Sequence, residues 1–100
     1  MSLTVNFSED EKEMTITIAG RFDYNLQAAF RDSYRDTPVD TRFVIDLRDA
    51  SFMDSSAMGM LLLLREYCQA PEPNIRLLNC GPDVRRVLEI SNLDKMFSVE

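Results

Sequence analysis

One hundred residues, 45% hydrophobic and 28% charged, have the size and composition of one soluble globular domain built on a single core. The 17 acidic and 11 basic side chains leave a net charge of −6, which argues against a nucleic-acid partner, because such binding needs a basic face to displace counterions. No histidine is present, which removes the Ser-His-Asp triad, Cys-His chemistry, imidazole bases and most zinc sites.

No apolar run approaches the roughly 18–20 residues that span a bilayer, so direct membrane insertion is not expected. The opening Met1-Ser2-Leu3-Thr4-Val5-Asn6 lacks the basic start of a signal peptide, and a cytoplasmic location is the expectation. Cys68 and Cys80 are too far apart for a CxxC motif and too few for a zinc site. They read as reduced thiols in apolar surroundings.

In chain order, Leu3 to Phe7 alternates apolar and polar, as a first strand does. A charged turn, Ser8 to Lys12, separates it from Met14-Thr15-Ile16-Thr17-Ile18-Ala19, strictly alternating and β-branched. So short a connection implies an antiparallel hairpin. Gly20 to Asn25 reads as a loop, with Asp23 or Asn25 able to cap a helix over about 26–35. The inner face of that helix would hold Leu26, Ala29, Phe30 and Tyr34, and Thr37-Pro38 closes it.

The central stretch, Phe43 to Cys68, carries most of the information. A short β-branched strand over about 42–47, of the type covered on both faces, leads through a loop into a helix over about 55–69. From Ala57 to Leu64 only Gly59 is not apolar, so this helix must bury two sides, in the fold or against a partner. Pro71 and Pro73 break it. Ile75 to Asn79 is another short strand, Pro82 begins a third helix to Ile90, and Met96 to Val99 is a candidate terminal strand. The third helix turns Val84, Val87, Leu88 and Ser91 inward. The order β-β-α-β-α-β-α(-β) implies right-handed crossovers and a mixed sheet of four to five strands in an α/β domain covering the chain.

Asp54-Ser55-Ser56 has two readings. Either Asp54 or Ser55 is an ordinary N-cap, accepting a bond from a free N–H of the first turn. Alternatively, one serine is a reversible phosphorylation site. The helix dipole and free N–H groups favour an anion there, so a phosphate could be added without unfolding the helix. It would add about −1.5 to −2 charges beside Asp54, near Asp23 and Asp49, and block a docking interface.

Other chemistries are poorly supported. Asp23 and Asp49 could form a carboxylate pair, but caps and solvated loop carboxylates are commoner. A serine nucleophile lacks a base, and no phosphate-binding glycine loop exists. Arg85-Arg86 is too small a basic patch for nucleic acid. Met53, Met58 and Met60 near the serines fill a core by default, although flexible methionines also suit a docking surface.

The segment from Ser51 to Gly59, following Val44-Ile45-Asp46-Leu47, resembles the signature of STAS domains, particularly bacterial anti-sigma factor antagonists. Gly20-Arg21-Phe22-Asp23 is similar to the family's loop after the second strand, and Ser91 to Phe97 to the segment after its third main helix. The resemblance implies a STAS-like fold and partner switching by a protein that is not an enzyme and carries no cofactor.

In such systems the unphosphorylated antagonist binds an anti-sigma factor that is also a serine kinase, and so frees the sigma factor. Phosphorylation reverses this, and a PP2C-type phosphatase restores the binding form. By position the resemblance makes Ser55 the phosphoacceptor, with Ser56 second. It also matches Asp23 to the family's loop aspartate near the docking surface, and the expected partner-binding face comprises Asp23, the loop and helix start from Ser51 to Ala57 with Asp54, Ser55, Ser56, Ala57 and Met58, and the helix side near Met60 and Leu63.

Ala57 stands where the family most often has glycine, which implies a stiffer helix and a methyl on the surface a kinase approaches. Met58 replaces the usual leucine. The chain stops at Glu100, so the final helix of many members is expected to be short or missing, together with contacts made through it. The acidic balance is compatible with a monomer, and the oligomeric state stays open. The alternative function is a constitutive STAS subunit of a membrane transporter complex of the lipid-trafficking kind.

Overall fold

In chain order, the computed structural model has β1 (Ser2–Phe7), β2 (Glu13–Phe22), a 3₁₀ turn (Tyr24–Leu26), α1 (Gln27–Tyr34), β3 (Arg42–Asp46) and β4 (Ala50–Met53). Then come α2 (Ser55–Cys68), β5 (Ile75–Leu78), α3 (Pro82–Ile90), a second 3₁₀ turn (Leu93–Lys95) and β6 (Ser98–Val99). The structure describes residues 2–10, 12–38, 40–68 and 75–100. The expected break at Pro71 and Pro73, and the last residue of the expected second helix, lie outside them.

The strands form one mixed sheet in the order β1-β2-β3-β5-β6, with β4 paired to β2. The expected hairpin is present, with Phe7 opposite Met14 and Ser2 opposite Ala19 in an unbroken antiparallel register. The remaining pairs are parallel.

Six strands replace the expected four to five, and the additions come from one place. The stretch from Gly20 to Phe22 is not loop; it continues β2, which changes partner there. Residues 13–17 of β2 pair with β3, whereas Gly20, Arg21 and Phe22 pair with β4. The register slips between Gly20 and Arg21, and Gly20 takes φ 84°, a left-handed conformation that glycine adopts without a Cβ clash. The Gly20 N–H donates to the Asp49 carbonyl at 2.9 Å, locking the change-over.

Each crossover from β2 to β3, β5 and β6 steps in the same direction across the sheet. Right-handed connections of that kind put their helices on one face. Accordingly, Met14, Ile16, Ile18, Phe43, Ile45, Ile75 and Leu77 on that face join one core with Phe30, Leu61, Leu64, Val84 and Leu88 from the helices. The opposite face carries Thr15, Thr17, Asp46 and Arg76. Coverage of the central strand on both faces is therefore corrected: Val44 points to the far face and is shielded there (4% exposed) without joining the core.

Aromatic contacts bind β2, α1, β3 and α2 together. Phe22 meets Phe30 at 5.6 Å between ring centroids, Phe30 meets Tyr34 at 5.7 Å, and Tyr34 meets both Phe43 (6.2 Å) and Tyr67 (5.0 Å). Each fully buried ring of this size contributes about 1.5–3 kcal/mol. The Tyr67 hydroxyl also reaches the carbonyls of Arg35 and Thr37, tying α2 to the chain that leaves α1.

Two inward assignments fail. Ala29 and Ser91 are exposed, because α1 buries only Phe30 and Tyr34 while α3 buries Val84 and Leu88. Each helix packs on one narrow stripe.

Candidate functional site

The site is built where β2 and β4 end. Phe22 lies opposite Met53 in parallel register, so Asp23 and Asp54, the next residues, leave the sheet side by side at its carboxyl edge. Both side chains of that last pair are buried and anchor the edge to the core.

Asp23 caps the 3₁₀ turn. Its Oδ1 accepts from the Asn25 N–H at 3.0 Å, and its backbone carbonyl accepts from the Leu26 N–H at 3.0 Å. Its Oδ2 pairs with Arg21 Nε at 3.3 Å. The Arg21 guanidinium in turn lies 4.0 Å from the Phe52 ring centroid, so one cation ties the two strand ends together across their exposed face.

Asp54 is the cap of α2. Its Oδ1 accepts from the Ala57 N–H at 3.0 Å, and its carbonyl accepts from Met58 at 3.2 Å. Between Asp54 and Ser55 as the capping residue, the structure selects Asp54, which leaves Ser55 without a structural duty. Ser55 is exposed and Ser56 half-buried, and among the described residues neither hydroxyl has a hydrogen-bond partner. Ser55 thus opens the helix at the end where free N–H groups and the dipole favour an anion.

α2 buries Ala57, Met60, Leu61, Leu64 and Cys68, a single stripe. Its second apolar side is uncovered: Leu62 is 36% exposed and Leu63 53%. Across from them stands Tyr24, 68% exposed. Together with Gln27, Ser56 and Gly59, these residues line an open groove of about 420 Å³ that begins at Ser56 and runs along α2 towards Glu66. A Cβ at Gly59 would meet nothing within 4 Å, so its missing side chain deepens the groove without being required by the helix.

The sequence-derived site residues divide into two groups. Asp23, Asp54, Ser55 and Ser56 come together at the sheet edge. Ala57 (0% exposed) faces the core, so the alanine methyl does not stand on the surface a kinase would approach, and Met60 (4%) is packed into the core while forming part of the groove floor. Met58 is half-buried, and Met53 is a core residue. Asp49 is exposed and contributes its carbonyl to Gly20, while the Asp23 carboxylate is already engaged. The two do not make an acid–base pair.

Sequence reading missed Tyr24, Leu62, Phe52 and Arg21. A signal existed for the leucines. Four in succession, Leu61 to Leu64, span more than one turn, and a helix packed on one side must expose two of them.

Among the described residues, no group of three or more His, Cys, Asp or Glu side chains is placed to hold a metal, and no helix is long and apolar enough to cross a membrane. Cys68 and Cys80 are free, and burial pushes both thiols above their usual range, an unreactive setting.

Comparison with known proteins places these features. The STAS domain family model matches residues 4–100. A STAS-domain containing protein of Pseudomonas aeruginosa (strain UCBPP-PA14) is 45% identical over 100 residues, covering 99% of both chains. Among solved structures, the anti-sigma factor antagonist SpoIIAA in its unphosphorylated form superposes with a TM-score of 0.74 at 20% identity, covering 99% of this chain and 87% of its own. A sulfate transporter family protein from Wolinella succinogenes superposes with a TM-score of 0.70 at 16% identity, covering 92% and 83%. Both structures share the fold with this chain, one being an anti-sigma factor antagonist and the other a sulfate transporter family protein.

Proposed function

The chain belongs to the STAS domain family, and we propose that it acts there as a phosphorylation-gated anti-sigma factor antagonist. One observation carries the reading: Ser55, exposed and relieved of capping by Asp54, opens α2 beside Ser56, the residue at which an unfilled apolar groove begins. In its unphosphorylated form the protein docks this end, with the groove walls Tyr24, Leu62 and Leu63, onto an anti-sigma factor that is also a serine kinase. Docking frees the sigma factor or regulator.

Ser55 and Ser56 meet the partner directly, Asp23 and Asp54 hold the two chain segments in place, and Ala57, Met58 and Met60 support the surface from beneath. Phosphorylation of Ser55 adds about −1.5 to −2 charges next to Asp54, in an interface that closes over it. The cost is borne by the complex, since the helix end accommodates an anion. A PP2C-type phosphatase resets the switch. The protein performs no catalysis, needs no cofactor and works in the cytoplasm.

Mass spectrometry of the protein from its native cells, with and without PP2C-type phosphatase treatment, tests this. The expected result is one phosphatase-sensitive phosphate on Ser55; the same phosphate on Ser56 keeps the mechanism and moves the acceptor. Ser55→Asp should weaken kinase binding at least about tenfold, roughly 1.4 kcal/mol, while Ser55→Ala binds constitutively. Equal affinities for the two variants would contradict the reading. A chain unphosphorylated under every growth condition would favour the constitutive transporter subunit, a reading supported by the transporter-family neighbour of the same fold.

A further inference from the structure

The sheet has two edges, and they differ in kind. The β6 edge is only Ser98–Val99, a length that offers little to a passing strand. The β1 edge is six residues, Ser2-Leu3-Thr4-Val5-Asn6-Phe7, and among the described residues it pairs only with β2. Edge strands are ordinarily protected by a charge, a proline, a bulge or brevity. β1 has none of these. Its register with β2 is continuous, and it carries no charged residue in a chain where 28% are charged. Phe7, on the face that packs inward, is left 53% exposed.

We propose that β1 is a self-association edge, at which two copies of this chain pair antiparallel about a twofold axis through Val5. The choice of a second copy follows from the strand's own pattern. With Val5 opposite Val5, Leu3 of one copy stands opposite Phe7 of the other, and Thr4 opposite Asn6. Apolar residues then meet on one face and polar residues on the other. A shift by one residue sets Leu3 against Asn6 and mismatches both faces. The exposed Phe7 rings gain partners, and the backbone groups at the edge gain theirs.

A net charge of −6 opposes contact over most of the surface but not along this strand. The contact is isologous and uses β1 alone, so it closes at two copies and does not propagate. Because the paired strands run in opposite directions, the two Asp23–Asp54 ends face away from each other. Both serine sites stay accessible, and the dimer does not depend on phosphorylation. One strand pair buries less than the roughly 1,200 Å² of a typical stable complex, so the equilibrium is concentration-dependent.

Sedimentation velocity of the full chain from about 10 μM to about 1 mM tests this. The wild type should pass from monomer to dimer. The double variants Thr4→Lys/Asn6→Lys and Thr4→Glu/Asn6→Glu, at exposed positions, should each remain monomeric because like charges oppose each other across the axis. Mixed in equal amounts, they should recover a dimer containing one chain of each. That recovery also shows that both are folded. A wild type monomeric throughout, a lysine variant that dimerises as readily as wild type, or a mixture that stays monomeric each overturns the proposal.

Discussion

Asp46 shows how one carboxylate links two strands. Burial alone would raise its pKa, but the Asn79 amide, donating at 3.0 Å, and the Arg48 N–H, also at 3.0 Å, outweigh this and hold it below its usual 3.8. A carboxyl lowered on folding stabilises the native state above its unfolded pKa, and that contribution is lost as the pH falls through the lower folded value. Asn79 is itself left-handed at φ 59°, so Asn79→Gly keeps the backbone comfortable while removing the amide. The expected result is an upward shift of the Asp46 titration, followed by NMR, and less of the stability that is lost in acid. An unmoved titration would assign the lowering to Arg48, through its N–H and its charge.

At the same scale, what the sequence disclosed and what it withheld follow from geometry. Asp54 and Ser55 are legible because capping is local. Tyr24 is not: whether an aromatic residue in a turn lies under or beside a helix depends on the packing of segments distant in sequence. Ala57 could not be placed from its neighbours alone, since helical phase turns it into the core.

At the scale of the element, the proposed docking role of α2 is coupled to its stability through Gly59. Gly59 is helical, has no positive φ, and has open space where a Cβ would be, so Gly59→Ala should stabilise the helix by about 0.5–1 kcal/mol. Thermal unfolding should rise by several degrees. The added methyl also fills the groove floor, so partner affinity should fall while the melting temperature rises. A rise in both would separate the groove from docking.

The strands show where pattern fails. β2 was legible to Ala19 by alternation, but the change of partner at Gly20 looks like a turn in sequence, because a glycine bulge and a loop use the same residue. β4 escaped notice because only Met53 of Ala50–Met53 is buried, so no alternation exists to read.

At the scale of the whole molecule, the helices lie on one face because every crossover steps the same way. Sequence order implied the crossovers but not their common direction, which is fixed by the strand order. The expectation of a strand covered on both sides failed for that reason. A short apolar run such as Phe43-Val44-Ile45 is buried on each face, whether helices or flanking polar side chains do the shielding.

The change of partner in β2 also divides the molecule mechanically. Before Gly20, the strand is clamped between β1 and β3; after it, among the described residues, the short β4 is the one strand paired with the tip that carries Asp23. Gly20 has no side chain to pack against its neighbours, so a disturbance at the tip is expected to stop there, as at a fuse. Asp54→Ala, which should cost about 1 kcal/mol of helix capping, provides the test by amide hydrogen exchange. Exchange should quicken over residues 21–27 and 50–58 and stay unchanged over 14–18 and 43–46. Quickening on both sides of Gly20 would show a single cooperative unit. An interrupted response would mean that the Asp23–Asp54 end of this small protein can be remodelled, by modification or by mutation, while the structure that supports it is left undisturbed.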